Sequence, residues 1–216
     1  MGENYINLPN KIAFAFLFLI SFAVHSQYYH GLDIGINTTS ATLDIDGSSN
    51  SENAIGFSVG YMYERDLSNM MFIRLGVSYN RRSFKAESVS GVTLYNEKWS
   101  SDAIELPLNI GHYLNFNQRN FQFFVDAGAN IAYNNRATIK NDTETIYLDI
   151  GKDADIKRMA FGANASIGLL IKKRVKFRVN YYHGLSNMAN TDGYNWKNKT
   201  FSIALNYFLK EKEIVY

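Results

Sequence analysis

"VKFRVNYYHGL", Val175–Leu185, is the stretch that decides the fold. From Val175 to Tyr181 every second residue is apolar: Val175, Phe177, Val179 and Tyr181 alternate with Lys176, Arg178, Asn180 and Tyr182. A period of two marks a β-strand, because successive side chains leave a strand on opposite faces. What each face touches separates two folds. A soluble sheet buries its apolar face and hydrates the charged one. A membrane barrel turns the apolar face to lipid and lines its lumen with the other.

The same period recurs along the chain. The apolar sets are Leu32, Ile34, Ile36; Ile55, Phe57, Val59, Tyr61, Tyr63; and Ile73, Leu75, Val77, Tyr79. They continue with Ile104, Leu106, Leu108, Ile110; Phe123, Val125, Ala127, Ala129, Ile131, Tyr133; and Phe161, Ala163, Ala165, Ile167, Leu169. The opening stretch is seventh, and Phe201, Ile203, Leu205, Tyr207, Leu209 form the eighth. Each run has about the length that a tilted membrane strand needs. The connections alternate: residues 44–54, 85–98, 134–157 and 187–197 read as long polar loops, and 65–70, 114–120 and 172–174 as short turns. An up-and-down membrane barrel has long loops at its extracellular end and short turns in the periplasm.

The minor face carries Gly, Ser and Asn, small enough to fill a narrow barrel. Its charges come in both signs: Asp33, Glu64, Glu105 and Asp126 against Arg74, Lys176 and Arg178. Buried charges must be paired, so these seven are expected to form an internal network, with Glu105 or Asp126 as the partner of Arg178. A soluble binding barrel would invert the pattern and keep apolar side chains inside. Tyr63, Phe72, Phe123 and Tyr207 fall near the short turns, and Tyr79, Tyr133, Tyr181 and Phe201 near the long loops. Two aromatic bands suit two lipid–water interfaces.

The N-terminus adds the destination. "KIAFAFLFLISFAV" (Lys11–Val24) is one Lys followed by an apolar run too short to span a bilayer comfortably, and "VHSQ" offers a cleavage site after Ser26. Residues 1–26 therefore read as a cleavable signal peptide, 27–209 as the barrel, and 210–216 as a short charged tail. No later apolar stretch is long enough for a transmembrane helix. The chain has no Cys, which excludes disulfides, thiolate metal sites and thiol catalysis, and a net charge of +2 does not suggest a nucleic-acid partner.

"AIELPLNIGHY" (Ala103–Tyr113) resembles a strand of the PorT-like small outer-membrane β-barrels of the Bacteroidota. "FGANASIGLLIKKRVKFRVNYYHGLSNM" (Phe161–Met188) resembles a late hairpin of that family, ending in Tyr181, Tyr182, Gly184, Leu185 and Asn187, and Gln27 behind the signal is also typical. The resemblance implies an all-β, closed antiparallel transmembrane barrel of about eight strands in the outer membrane. It implies no catalytic residues. The tail "KEKEIVY" departs from barrels that stop on a terminal aromatic strand.

Three functions fit. The first is a structural or binding module that acts through its extracellular loops, or docks in an envelope assembly, without an open pore. Its partners would be outer-membrane lipids and other envelope proteins, with no cofactor and no metal. The second is a lipid- or peptide-modifying hydrolase with a rim site near His183, beside Ser186 and Asn187. The third is a soluble periplasmic lipocalin-like carrier. His30 and His112 fall at the short-turn end. The acidic runs Asp44–Gly47 and Asp142–Asp149 lack the spacing of a dedicated calcium loop. "KKR" at Lys172–Arg174 reads as a tight turn.

Overall fold

The computed structural model describes residues 28–44, 51–90, 93–114, 120–190 and 195–210; residues 1–26, read above as a signal peptide, and residues 211–216 of the tail lie outside them. Nine strands are present among the described residues: β1 (Tyr28–Asp44), β2 (Ser51–Asp66), β3 (Met71–Ser90), β4 (Thr93–Leu114), β5 (Phe121–Lys140), β6 (Thr145–Leu148), β7 (Met159–Ile171), β8 (Val175–Gly184) and β9 (Asn195–Phe208). The order β4-β3-β2-β1-β9-β8-β7-β5 closes on itself through a β4–β5 pairing, so eight antiparallel strands form a ring. The first and last strands meet from Gly31↔Phe208 to Asp44↔Asn195. Closure removes the free edges that an open sheet would offer to other chains. β6 stands outside the ring, paired to Ala137–Lys140 on the extension of β5.

The two faces divide as the period of two requires. Ile36 is 63 % exposed and Ile167 55 %, and Leu106, Ile110 and Ile203 share that surface, so an apolar band encircles the barrel. Contiguous apolar exposure on this scale marks a surface covered by something other than water. Asp33, Glu64, Arg74, Glu105, Asp126, Lys176 and Arg178 all project inward, the network's members lying on the opposite parity to the band. Val175, Phe177, Val179 and Tyr181 lie on the band side of β8, and Lys176 is fully buried behind them.

Three expectations are corrected. Residues 85–98 are largely a hairpin and not a loop: β3 and β4 stay paired from Lys85↔Lys98 to Ser90↔Thr93. Residues 134–140 likewise belong to β5. Beyond the apolar band, ladder hydrogen bonds persist although neither face needs to be apolar, so hydropathy cannot report these strands. Bulges reinforce the break, one between Ala54 and Phe57 and another where Asp102 and Ala103 oppose Arg136 and Asn134. An extra residue there shifts the alternation by one. Finally, Phe72 is not an interfacial aromatic. It is two residues before Arg74, on the same face, and is completely buried inside the ring.

The wall is uneven. β3 and β4 have 20 and 22 residues, β7 and β8 only 13 and 10. The long-loop end is thus a tall palisade on one side and a low sill on the other.

Candidate functional site

The lumen is built in three levels. At the short-turn end, Lys176 Nζ lies 2.5 Å from a Glu64 carboxylate oxygen, both side chains fully buried. The Tyr113 hydroxyl donates to the other Glu64 oxygen at 2.6 Å. The ammonium sits 4.0 Å from the ring centres of both Phe72 and Phe124 and 5.1 Å from Tyr113. Tyr29, Leu170 and Phe208 complete this layer. A desolvated cation over aromatic faces gains about 2 kcal/mol or more, which helps offset the cost of its burial. The sequence makes room for the rings with glycine: Phe72 pairs with Gly111 and Phe124 with Gly168 across the ladder, and a Cβ at either glycine would collide with the ring.

The middle level is polar. Arg74 donates to Asp126 at 2.8 Å, and the same Asp126 oxygen accepts from Asn109 at 2.6 Å and Ser166 at 2.7 Å. Arg178 pairs with Asp33 at 2.9 Å, not with Glu105 or Asp126. Glu105 is instead paired with Arg82 and accepts from Asn130 at 2.7 Å. Arg82 also donates to Thr200 and lies 4.1 Å from the centre of the Tyr182 ring. Arg82 is the network member that sequence reasoning missed. The signal was present, since Arg82 continues the parity of Arg74, Gly76, Ser78 and Asn80 beyond the last apolar residue, Tyr79. Asp33, Arg74, Arg82, Glu105, Asn130 and Arg178 line a cavity of about 80 Å³, large enough for several waters at roughly 10–15 Å³ each.

The top level is an aromatic stopper. Phe84, Trp99 and Trp196 meet with ring centres 5.4–5.9 Å apart. Ala103, Ala132, Ala137 and Ala160 leave space for Ile156 and Met188, both buried against the rings. Those two residues come from segments that cross above the low sill. Ile156 N–H donates to Asp149 O, Lys157 N–H to Met188 O and Met188 N–H to Trp196 O, at 2.8–3.0 Å. The Asn134 side-chain amide fixes the same strap through Lys157 O at 2.8 Å.

His183 lies one residue before the end of β8, at the rim. The Ser186 hydroxyl accepts from Phe161 N–H at 2.8 Å, and Asn187 Oδ1 accepts from the backbone of Ala189 and Trp196. Both side chains are therefore engaged in shaping the turn that follows β8. His30 is bonded to the Tyr61 hydroxyl at the opposite end, and His112 is exposed there. Among the described residues no group of three or more His, Asp or Glu could hold a metal ion; residues 45–47 of the first acidic run lie outside them.

A closed antiparallel ring with apolar side chains outward and ion pairs inward is the architecture of an outer-membrane β-barrel. Residues 26–190 match the family model described as "Outer membrane protein beta-barrel domain", and the chain belongs to that family. It is an outer-membrane protein. Solved structures of similar architecture include OprG from Pseudomonas aeruginosa (11 % identity, covering 86 % of this chain and 97 % of that one, TM-score 0.47). Neisserial surface protein A is similar at 13 % identity over 85 % and 98 % of the two chains, TM-score 0.46. Ail, the attachment invasion locus protein of Yersinia pestis, is similar at 13 % identity over 85 % and 99 %, TM-score 0.44. No curated protein sequence matches the chain.

Proposed function

We propose that this barrel is a non-conducting scaffold whose working surface is its extracellular rim, where it binds another envelope or surface component. Wall height carries the reading. A membrane strand needs about 9–11 residues, and β3 and β4 have about twice that. Their surplus, from Arg81 to Ser90 and from Thr93 to Asp102, is ordered strand with no apolar band to place in lipid. Long connections face outward in such barrels, so the palisade and the strap lie outside the cell. The rim presents Tyr147, 65 % exposed on β6, with the Arg136 guanidinium 5.2 Å from its ring centre. Arg158 sits similarly over Tyr133 at 5.6 Å. Exposed aromatic and Arg side chains are the types that anchor protein interfaces.

The same reading assigns the barrel no catalysis, since Ser186 and Asn187 are held by the turn around them. The apolar band would contact lipid only. A photo-reactive residue at Tyr147 in living cells is expected to give discrete protein adducts, and one at Leu106 only lipid adducts. Protein adducts at Leu106 with none at Tyr147 would make the wall the docking surface and overturn this reading.

A further inference from the structure

The β7–β8 connection is built from residues that a tight turn ordinarily avoids. Arg174 N–H donates to Ile171 O at 3.1 Å, and the two central residues, Lys172 and Lys173, have φ of 46° and 61°. Positive φ at both centres is the geometry of a mirror-image hairpin turn, which Asn-Gly fills without strain. Lysine has no short side chain to bond its own backbone in that conformation and brings a Cβ that crowds the carbonyl. These are the only non-glycine residues with positive φ among the described residues. Strain of this kind persists where something else favours the residue, often a bound ligand.

The surroundings identify the ligand. Lys172 is exposed and Lys173 partly so, and neither is in an ion pair among the described residues. Arg174 follows them, its guanidinium 6.0 Å from the Tyr207 ring centre and donating to the Tyr207 hydroxyl at 3.4 Å. Tyr207, Phe121 and Phe123 are exposed on the apolar band at this end. An aromatic ring of that kind sits at headgroup level. The described residues of this rim include Arg65, Lys172, Lys173, Arg174 and Lys210 against Asp66. Lysine stems can lie along the apolar surface while their ammonium groups reach the phosphates.

We propose that the Lys172–Lys173 turn is a binding site for the phosphate of anionic phospholipids in the leaflet that covers the short-turn end. On the orientation proposed above that leaflet is the periplasmic one. The test is urea unfolding of the refolded mature barrel in phosphatidylcholine vesicles with and without phosphatidylglycerol. The variants are K172N/K173G, which removes charge and strain together, and K172Q/K173Q, which removes charge alone. Phosphatidylglycerol is expected to raise the folded-to-unfolded ratio of the native chain by roughly fivefold for each lysine, an effect that salt weakens. Both variants lose that gain. In phosphatidylcholine alone, K172N/K173G is expected to be more stable than the native chain, whereas K172Q/K173Q is not. An undiminished phosphatidylglycerol gain in the two variants would overturn the proposal. So would the same gain from inorganic phosphate added to phosphatidylcholine vesicles. Neither outcome depends on which end of the barrel faces the cell exterior, so this site and the rim reading fail separately.

Discussion

Replacing Lys176 with methionine is expected to destabilise the barrel by about 3–5 kcal/mol. Methionine keeps most of the stem and its packing against Phe72 and Phe124, so the change is chiefly one of charge. It removes the cation 2.5 Å from Glu64 and leaves a carboxylate in a layer with no solvent access. Glu64→Gln alone should cost a comparable amount, because the ammonium then lacks its counter-charge. The double variant K176M/E64Q should recover much of the loss, since removing both members of a buried pair is often nearly neutral. Urea unfolding in lipid vesicles, run as a double-mutant cycle, reads the coupling directly. Single variants within about 0.5 kcal/mol of the native chain would mean that the pair is solvated and the floor of the barrel open.

Val179→Arg should cost about 2–4 kcal/mol, for the opposite reason. Val179 stands between Ile167 and Ile203 across the ladder, in the middle of the apolar band. An arginine there meets acyl chains, whereas its neighbour Arg178 faces inward to Asp33. No substitution inside the lumen should rescue it. Arg178→Ala, by contrast, should be rescued by neutralising Asp33. If Val179→Arg proves harmless and the position is labelled readily by water-soluble reagents, that face is not in lipid.

What could be read from the sequence followed the apolar face. Wherever a strand borders lipid, its outward residues alternate strictly, and the ring of eight strands and the seven inward charges could be placed from that alternation. Four things escaped it. Arg82, Phe84 and Trp196 lie in the same parity as Arg74 and Ala204 but beyond the last apolar outward residue, so only the parity of the inward face marked their strands as continuing. The partner of each charge depends on strand stagger and side-chain reach, which is why Arg178 finds Asp33 across 145 positions of sequence and leaves Glu105 to Arg82. The aromatic layer around Lys176 was hidden by an assumption about size. A narrow lumen suggests small residues, but Gly111 and Gly168 leave room for Phe72 and Phe124 to lie over the neighbouring strand. Phe124 and Phe208 were already in phase with the glycines and asparagines of their strands. The strap from 149–157 had no periodic signal at all, being held by single backbone hydrogen bonds and by the side chains of Ile156 and Met188.

The proposed absence of conduction rests on two layers that cross the lumen, the Lys176–Glu64 layer at one end and the Phe84–Trp99–Trp196 layer under its strap at the other. The most direct measurement is ion current across a planar lipid bilayer containing the refolded native barrel. A sealed lumen predicts insertion without current steps across the voltage range that the bilayer tolerates. Sustained, voltage-independent open-channel currents from the native chain would contradict it.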